Sequence, residues 1–298
     1  MESKQLGGII IMFDIQEDIR EVKECPWCGE KHDNSVLYET EYDCKVRKCK
    51  NCGFVYADHI LNDKGLKKYW SNYSSSVHCV DEESIVKRKQ MYGIEFNHIM
   101  RYLSKKANVL DVGCGEGGFL DLFKEEGCNT CGVEYGEEAA KIASMSHKIY
   151  IGEFPDIDIE ETFDLIIFRG SIQYLINPKS YFEKAINLLK PNGKIFISSS
   201  PNSQSICFNL FLKMHNQPVC VTDYYMYSVD LLKKYFESKG MFLIANNFFY
   251  EETPYCNFEE DFEKVTKAYK MKKANKPIDF KSPAYWDNML SLVFMKIE

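Results

Sequence analysis

VLDVGCGEGGFL, at residues 109–120, leads from a run of apolar residues through a glycine-rich turn into the start of a helix. Gly113, Gly115 and Gly117 allow positive φ angles, and without a Cβ they let a ligand approach the backbone closely. Asp111 places a carboxylate two residues before the first of these glycines. Ligands of open α/β sheets bind beyond the carboxyl ends of the strands, so the stretch predicts one wall of a nucleoside-binding crevice in an α/β fold.

Residues 113–118 also satisfy the dinucleotide fingerprint G-x-G-x-x-G. A dinucleotide places its pyrophosphate at the N-terminus of the helix, where an anion is favoured. The carboxylate of Asp111 suits a cationic or amino-bearing ligand better than a diphosphate. Further along, CGVEY at residues 131–135 ends a second apolar strand in Glu134, 19 residues after Gly115. A carboxylate at that place can accept hydrogen bonds from both hydroxyls of a ribose.

Four segments carry a resemblance to a known family. In chain order they are VLDVGCGEGGFL, GVEYGEEAAKIA, FDLIIFRGSIQYL and LLKPNGKIFISSSPN. Their order and separations resemble those of the class I S-adenosylmethionine (SAM)-dependent methyltransferases, over roughly residues 85–250. The resemblance implies a doubly wound, mostly parallel, seven-stranded Rossmann-like sheet whose last strand is antiparallel and inserted at the sheet edge. Alternating strand and helix patterns between residues 109 and 249 favour the same α/β architecture.

The resemblance also implies roles for residues at these motifs. The backbone of Gly113 and Gly115 would lie along SAM, with Asp111 near its amino or methionyl end and Glu134 at the ribose hydroxyls. Tyr135 would flank the adenine, and the residues at 153 and 154 would meet its edge and its face. At position 153 this chain has a glutamate where the family usually has an aspartate. The predicted cofactor-binding residues are Asp111, Gly113, Cys114, Gly115, Glu134, Tyr135, Glu153, Phe154, Arg169 and Tyr73.

Two stretches, 200–228 and 250–291, are longer than ordinary connections, and we expect them on the substrate side of the sheet. The aromatic residues of the first stretch predict either an acceptor pocket or a local core. An alcohol acceptor would benefit from a general base, and the candidates in this stretch are His215, Tyr224 and Tyr225. Many relatives have a histidine where this chain has Tyr174, so that histidine's role is not transferred. The aromatic residues in question are Phe208, Phe211, Tyr224, Tyr225 and Tyr227.

Two C-x-x-C-G segments precede the methyltransferase motifs. Cys25 and Cys28 belong to the first, and Cys49 and Cys52 to the second. Four thiolates at this spacing suit tetrahedral Zn²⁺, although a site of four cysteines also holds iron and a metal-free cluster is a third interpretation. The paired segments resemble a zinc ribbon with a structural role, because no open ligand position is apparent.

The patterns divide the chain into a tail (1–20), a zinc ribbon (21–62), a linker or cap segment (63–84) and a methyltransferase domain (85–298). The formal net charge of −7 and the lack of a basic stripe argue against nucleic acid as a partner. The apolar run at residues 6–13 is too short to span a membrane and lacks the features of a secretory signal. Twelve irregularly spaced cysteines fit a reducing compartment, so we expect a cytoplasmic protein.

The leading functional hypothesis is methyl transfer from SAM to a small molecule. Arg169-Gly170 resembles an element of bacterial methyltransferases of sugar and surface-polysaccharide pathways, which often carry a similar ribbon. That resemblance implies a nucleotide-linked sugar or a related intermediate as the acceptor. The alternatives are an RNA methyltransferase that grips its substrate with the ribbon, and a non-catalytic SAM-binding interaction protein. The sequence leaves the acceptor atom and the oligomeric state open.

Overall fold

The computed structural model describes residues 3–6, 9–32, 35–70 and 81–297, with side chains from Phe13 onward. The predicted cofactor residue Tyr73 lies outside these ranges. The strands are β1 Ser3–Leu6, β2 Ile9–Met12, β3 Ile19–Glu21, β4 Val36–Glu39, β5 Lys45–Lys48, β6 Val55–Ala57, β7 His59–Leu61, β8 Asn108–Val112, β9 Asn129–Glu134, β10 Lys148–Ile151, β11 Phe163–Arg169, β12 Leu189–Pro201, β13 Tyr225–Met226, β14 Met241–Asn246 and β15 Met289–Lys296. The helices are α1 Asp63–Trp70, α2 Glu82–Ile99, α3 Gly118–Glu125, α4 Glu137–Ala143, α5 Pro178–Leu188, α6 Ile206–Phe211, α7 Val229–Ser238 and α8 Phe258–Lys273.

The central sheet has seven strands in the order β10-β9-β8-β11-β12-β15-β14. The first five of these are parallel, while β15 is antiparallel to both β12 and β14. Leu110, Ile166 and Ile195 lie side by side on neighbouring strands and are fully buried, as expected for a parallel sheet covered by helices on both faces. The predicted doubly wound, mostly parallel sheet is confirmed, and its final strand lies one place in from the edge.

The strand order reverses beside β8. From β8 the chain proceeds outward to β9 and β10 and then returns to β11 on the other side of β8. Adjacent crossover connections diverge at such a point and leave a crevice beyond the carboxyl ends of the strands. The glycine-rich turn at residues 113–117 and the residues after Arg169 both lie at this crevice.

The cysteine-rich segment is joined to the rest of the chain by a shared sheet. A four-stranded sheet has the order β13-β6-β5-β4, and its strand β13 comes from the 200–228 stretch. Tyr225 pairs with Tyr56, and Met226 pairs with Val55. The ribbon therefore completes its sheet with a strand from the methyltransferase part of the chain.

An aromatic core fills the space between the ribbon and the sheet. The Trp27 ring centroid lies 5.6 Å from Phe54, 5.9 Å from Tyr227 and 5.2 Å from Tyr235. Phe54 in turn lies 5.2 Å from Tyr225. These rings are buried, and aromatic pairs at such distances add to the free energy gained by burial. Of the two alternatives for the aromatic residues of 200–228, the structure shows a packed core.

The boundary placed after residue 20 falls inside a strand. β3 pairs with β7 in antiparallel fashion, with Ile19 opposite Leu61. Phe13 is also buried, and its ring centroid lies 6.2 Å from that of Tyr42. Phe13 and Ile19, which precede residue 21, therefore pack on the ribbon. Within the described part of the chain, no helix combines the length and hydropathy that a membrane crossing requires.

Trp27→Ala tests whether the ribbon and the sheet share one core. We expect the free energy of unfolding to fall by about 3–5 kcal/mol, because a large buried side chain is removed from a site that cannot close. Urea unfolding followed by circular dichroism measures this loss. Tyr269→Ala is the matched control, since Tyr269 is 59% exposed and its truncation should leave stability nearly unchanged. Equal stability of the two variants would contradict a shared core.

Candidate active site and metal centre

A cavity of about 830 Å³ opens at the carboxyl ends of β8, β9 and β11. This volume lies within the range of about 300–1,000 Å³ that small-molecule sites occupy. Its walls come from the glycine-rich turn, the residues after β9, β10 and β11, the end of α1 and the first turns of α2. Tyr255 and Tyr285 of the 250–291 stretch close the far side.

Glu134 fixes the shape of the glycine-rich turn. Its Oε2 accepts a hydrogen bond from the backbone N–H of Gly115 at 2.7 Å, and its Oε1 accepts one from Gly136 at 2.8 Å. Burial raises the pKa of Glu134, and these two N–H donors oppose the rise. A carboxylate has about four acceptor positions, so both oxygens can still accept bonds from ligand hydroxyls. Gly113 (φ +85°) and Gly115 (φ +56°) take conformations that a side chain disfavours.

Two buried oxygens behind the turn lack a partner among the described residues. They are Asp111 Oδ1 and Ser171 Oγ. Asp111 lies beneath the cavity wall, where the residue is 2% exposed. Burial raises its pKa to about 7, and the nearby Arg169 guanidinium only partly opposes this shift. A buried oxygen without a partner costs free energy, and an N–H or ammonium donor of a ligand would supply one.

The other predicted cofactor residues with described positions also meet at this cavity. Gly113, Cys114 and Gly115 line one wall, and Tyr135, Glu153 and Phe154 line the wall beyond β9 and β10. The Tyr181 hydroxyl donates to Glu153 Oε2. The ring centroids of Phe154 and Tyr181 lie 5.9 Å apart. This wall offers an aromatic face and an acceptor edge, which are the features that a purine needs.

Arg169 lies at the opposite end of the cavity in a buried network. Its Nε donates to Glu95 Oε2 at 2.5 Å, and its guanidinium lies 4.4 Å from the centre of the Tyr92 ring. Glu95 Oε1 accepts a further bond from Ser199 Oγ at 2.7 Å. Interaction with Glu95 raises the pKa of Arg169 despite burial, so the guanidinium stays protonated. Sequence reasoning missed Glu95 and Tyr285, because residues far apart in the chain form this network.

The three proposed general bases do not reach the cavity. His215 is fully buried, its Nδ1 lies 2.9 Å from the Gln217 carbonyl oxygen, and burial lowers its pKa to about 4. Tyr224 and Tyr225 are buried in the core beneath the ribbon. Tyr174 lines the cavity instead, and its hydroxyl donates to Asp223 Oδ1 at 2.9 Å. Tyr225 and Tyr227 of the 200–228 stretch pack against rings of the ribbon, whereas Phe211 packs against Phe280 of the 250–291 stretch. The sequence pattern did not indicate either arrangement.

The four predicted metal ligands come together at one point. The sulfurs of Cys25, Cys28, Cys49 and Cys52 all lie within 4.8 Å of one another. Cys25 and Cys52 are 3.6 Å apart, as are Cys28 and Cys49. A tetrahedral ion with Zn–S bonds of about 2.3 Å needs sulfurs about 3.8 Å apart, whereas a disulfide needs about 2.05 Å. The donor set and spacing fit one tetrahedral metal ion.

Each C-x-x-C-G turn is held by its backbone. Gly29 N donates to the Cys25 carbonyl at 2.9 Å, and Gly53 N donates to the Cys49 carbonyl at 2.8 Å. Both glycines have positive φ, which explains the residue type after each second cysteine. Cys44 is buried nearby, but its thiol donates to the His59 carbonyl oxygen and it is not part of the group.

The fold and the cavity together define the Rossmann-like class of methyltransferase domains. Residues 88–249, more than half of the chain, match a family described as Methyltransferase domain. The chain therefore belongs to this family. The match covers the glycine-rich turn, Glu134 and Arg169, and it leaves out the ribbon and the 250–291 stretch.

Individual proteins also resemble this chain, in sequence or in fold. The ubiquinone biosynthesis O-methyltransferase of Idiomarina loihiensis is 32% identical over 113 residues, covering 35% of this chain and 45% of that protein. The chain thus spans about half the length of the curated relatives it matches. Among solved structures, the PH0226 protein from Pyrococcus horikoshii OT3 superposes with a TM-score of 0.52 at 15% identity, covering 77% of this chain and 99% of that one. The structure of magnesium protoporphyrin IX methyltransferase from Synechocystis PCC 6803, with bound SAH, superposes with a TM-score of 0.51 at 11% identity. It covers 79% of this chain and 95% of that one. At these identities the structures show the fold.

Gly113→Ala and Gly93→Ala test the conformation of the turn. A Cβ at Gly113 would lie 3.0 Å from the Ser171 Cβ, and the φ of +85° adds strain, so we expect a loss of about 1–3 kcal/mol in the free energy of unfolding. Gly93 lies within α2 with open space around it, so alanine there should stabilise the protein by about 0.5–1 kcal/mol. Chemical unfolding measures both changes. A neutral or stabilising Gly113→Ala would contradict the described turn.

Proposed function

We propose that this protein transfers a methyl group from SAM to a small-molecule acceptor, and that its ribbon holds a structural zinc ion. The observation that carries the first part is the cavity itself. A buried carboxylate, Glu134, braces a glycine-rich turn whose neighbours Asp111 and Ser171 have unpartnered buried oxygens among the described residues. These groups match the ribose hydroxyls and the amino group of SAM.

The charges along the cavity support a cationic donor. Glu116, Asp121 and Glu134 line the cavity at or beside the glycine-rich turn, and Glu153 lines the wall beyond β10. The cationic lining residues are Lys87, Arg88 and Lys89 of α2, together with Arg169, which is paired with Glu95. An excess of carboxylates near the turn lowers the free energy of a bound sulfonium or ammonium group. A dinucleotide phosphate at that position would be repelled.

When bound, SAM supplies a methyl group already activated on a sulfonium. The residues of this chain would bind it, orient an acceptor beside it and exclude water. Glu134 would hold the ribose, Asp111 the amino group, and Phe154 with Tyr135 the adenine. Arg169 would position the acceptor side of the cavity through its contacts with Glu95 and Tyr92.

The acceptor is proposed to be a small molecule with an oxygen nucleophile. The curated relatives are named as O-methyltransferases, and the acceptor end of the cavity is lined by aromatic rings, among them Trp70, Tyr92, Tyr255 and Tyr285. The nucleotide-linked sugar expected from Arg169-Gly170 stays a prediction. Those relatives are named for ubiquinone biosynthesis, a different pathway.

The pH dependence of SAM binding tests the site. Below pH 7 the Asp111 carboxyl, with its pKa raised to about 7, holds a proton and does not attract an ammonium group. A cationic ligand favours the unprotonated carboxylate, so binding releases a proton and strengthens as the pH rises from about 6 to about 8. Isothermal titration calorimetry should show this trend for the unmodified protein. Asp111→Asn should bind SAM more weakly and lose the trend. Absence of binding at millimolar SAM would overturn the proposed function.

The metal content tests the ribbon. We expect about one zinc ion per chain by elemental analysis, because the four sulfurs already stand at tetrahedral spacing. Cys49→Ala should lose the metal and unfold at a lower temperature, since metal binding contributes to folding of so small a unit. Cys44→Ala removes a buried thiol outside the group and should keep the metal. Iron in place of zinc, or full metal content in Cys49→Ala, would contradict the assignment.

A further inference from the structure

We propose that α8 is the contact surface of a homodimer, in which the helix packs in antiparallel fashion on the same helix of a second copy of this chain. The helix spans Phe258–Lys273 and belongs to the 250–291 stretch, which lies outside the family match at residues 88–249. The proposal does not depend on the proposed methyl transfer, so either of the two can fail without the other.

One side of α8 exposes aromatic rings to solvent. Among the described residues, the three most exposed aromatic side chains are Phe258, Phe262 and Tyr269, at 59%, 55% and 59%. Positions i, i+4 and i+11 fall on one side of a helix with 3.6 residues per turn. A different side faces the fold, since the buried residues of the helix are Asp261 and Ala268. The helix therefore has one side packed on its own chain and a second, aromatic side that faces water.

The exposed rings form a continuous surface. Phe258 stacks on Phe262 with ring centroids 5.9 Å apart, and on Trp286 with ring centroids 5.7 Å apart. Trp286 in turn lies 4.9 Å from the ring centroid of Tyr250. Contiguous exposed apolar surface marks an interaction site in a protein, because a partner that covers it gains the free energy of burial. The stripe on α8 therefore calls for a partner.

The charges beside the rings indicate which partner fits. Glu259 and Glu263 are exposed in the first half of α8, whereas Lys270 and Lys273 are exposed in its second half. None of the four takes part in an ion pair in the described part of the chain. The helix dipole favours this order of charges, but like charges three or four residues apart repel each other. A helix that runs in the opposite direction would place an opposite charge beside each of them.

One register satisfies the rings and the charges together. With a two-fold axis beside Thr266, Phe262 of one protomer would lie beside Tyr269 of its partner, and Glu263 beside Lys270. A rise of 1.5 Å per residue keeps the two members of each pair within about 1.5 Å along the helix axis. The two-fold axis repeats each contact, so that one substitution changes the interface twice.

Other partners match only part of this surface. An anionic membrane would attract the lysines but would be repelled by Glu259 and Glu263 beside the rings. A partner helix of one charge sign would likewise suit only one half of α8. A second copy of the chain carries both signs in the order that the antiparallel arrangement needs, which is why the proposal commits to it.

The contact of one helix pair is small, and interfaces of less than about 1,200 Å² belong to weak or transient complexes. We therefore expect a dimer that forms at micromolar concentrations and above. In more dilute solution the chain is a monomer. There, truncation of a side chain such as Tyr269 leaves the free energy of unfolding nearly unchanged, because association no longer contributes to it.

Sedimentation velocity of the full chain, from micromolar to sub-millimolar concentrations, tests the proposal. The unmodified protein should shift from monomer to dimer over this range. Glu263→Lys and Lys270→Glu should each raise the dissociation constant at least about tenfold, because like charges then face each other twice per dimer. An equimolar mixture of the two variants should dimerise again, since every substituted charge in the mixed pair faces one of opposite sign.

Two further variants separate the helix contact from general effects. Glu125→Lys makes the same change of charge at an exposed residue of α3 and should dimerise like the unmodified protein. Phe262→Ala should weaken the dimer at least about tenfold, because two buried rings are lost per dimer. Circular dichroism should show an unchanged unfolding transition in dilute solution for all variants, which establishes that each is folded.

A monomer at every concentration of the unmodified protein would overturn the proposal. Dimers that persist in Glu263→Lys, in Lys270→Glu and in Phe262→Ala would also overturn it, because the contact would then lie elsewhere. Binding of the monomer to vesicles of phosphatidylcholine and phosphatidylserine, lost in Phe262→Ala, would replace the second copy by a membrane surface. Calorimetric titration with SAM tests the proposed function separately, and its outcome does not affect this assignment.

Discussion

The buried carboxylate of Glu134 is the constraint on which the cavity depends. It binds the N–H groups of Gly115 and Gly136, so the turn after β8 and the end of β9 hold a fixed distance. Removing a carboxylate from water costs free energy, and charge-assisted hydrogen bonds to backbone donors offset that cost. Because both oxygens keep further acceptor positions, the group that shapes the turn can also bind a ribose. One side chain thus serves the fold and the ligand.

A second constraint joins the metal centre to the same cavity. Fewer than about 50 residues cannot bury much core on their own, so small ribbons depend on metal and on a neighbour. Here the neighbour is β13 and the rings of Tyr227 and Tyr235, which pack on Trp27. Asp223 lies two residues before Tyr225, the first residue of β13, and contacts Tyr174 at the cavity. The ribbon is therefore part of the wall that supports the acceptor side of the proposed site.

The sequence patterns predicted the structure best where a short segment carries its own physical interpretation. A buried strand that ends in glycines, an acid at the end of the next strand and two C-x-x-C-G turns each have a direct physical interpretation. The predicted sheet is confirmed. The described cofactor residues other than Asp111 line one cavity, and the sulfurs of the four cysteines form one group. The predictions for His215, Tyr224 and Tyr225 rested on residue type within a long connection. Nothing local in that connection indicated that Tyr225 and Tyr227 would pack against the ribbon.

Short motifs were enough to predict the glycine-rich turn and the thiol cluster, and the repeated pattern of apolar residues was enough to predict the sheet. The set of side chains that faces the acceptor depended on the complete fold. Glu95, Arg169 and Ser199 meet through long-range packing, and Tyr174 meets Asp223 across 49 residues. These contacts depend on the relative positions of α2, β11 and β13. The shared core fixes those positions, and the core is formed by residues from many segments of the chain.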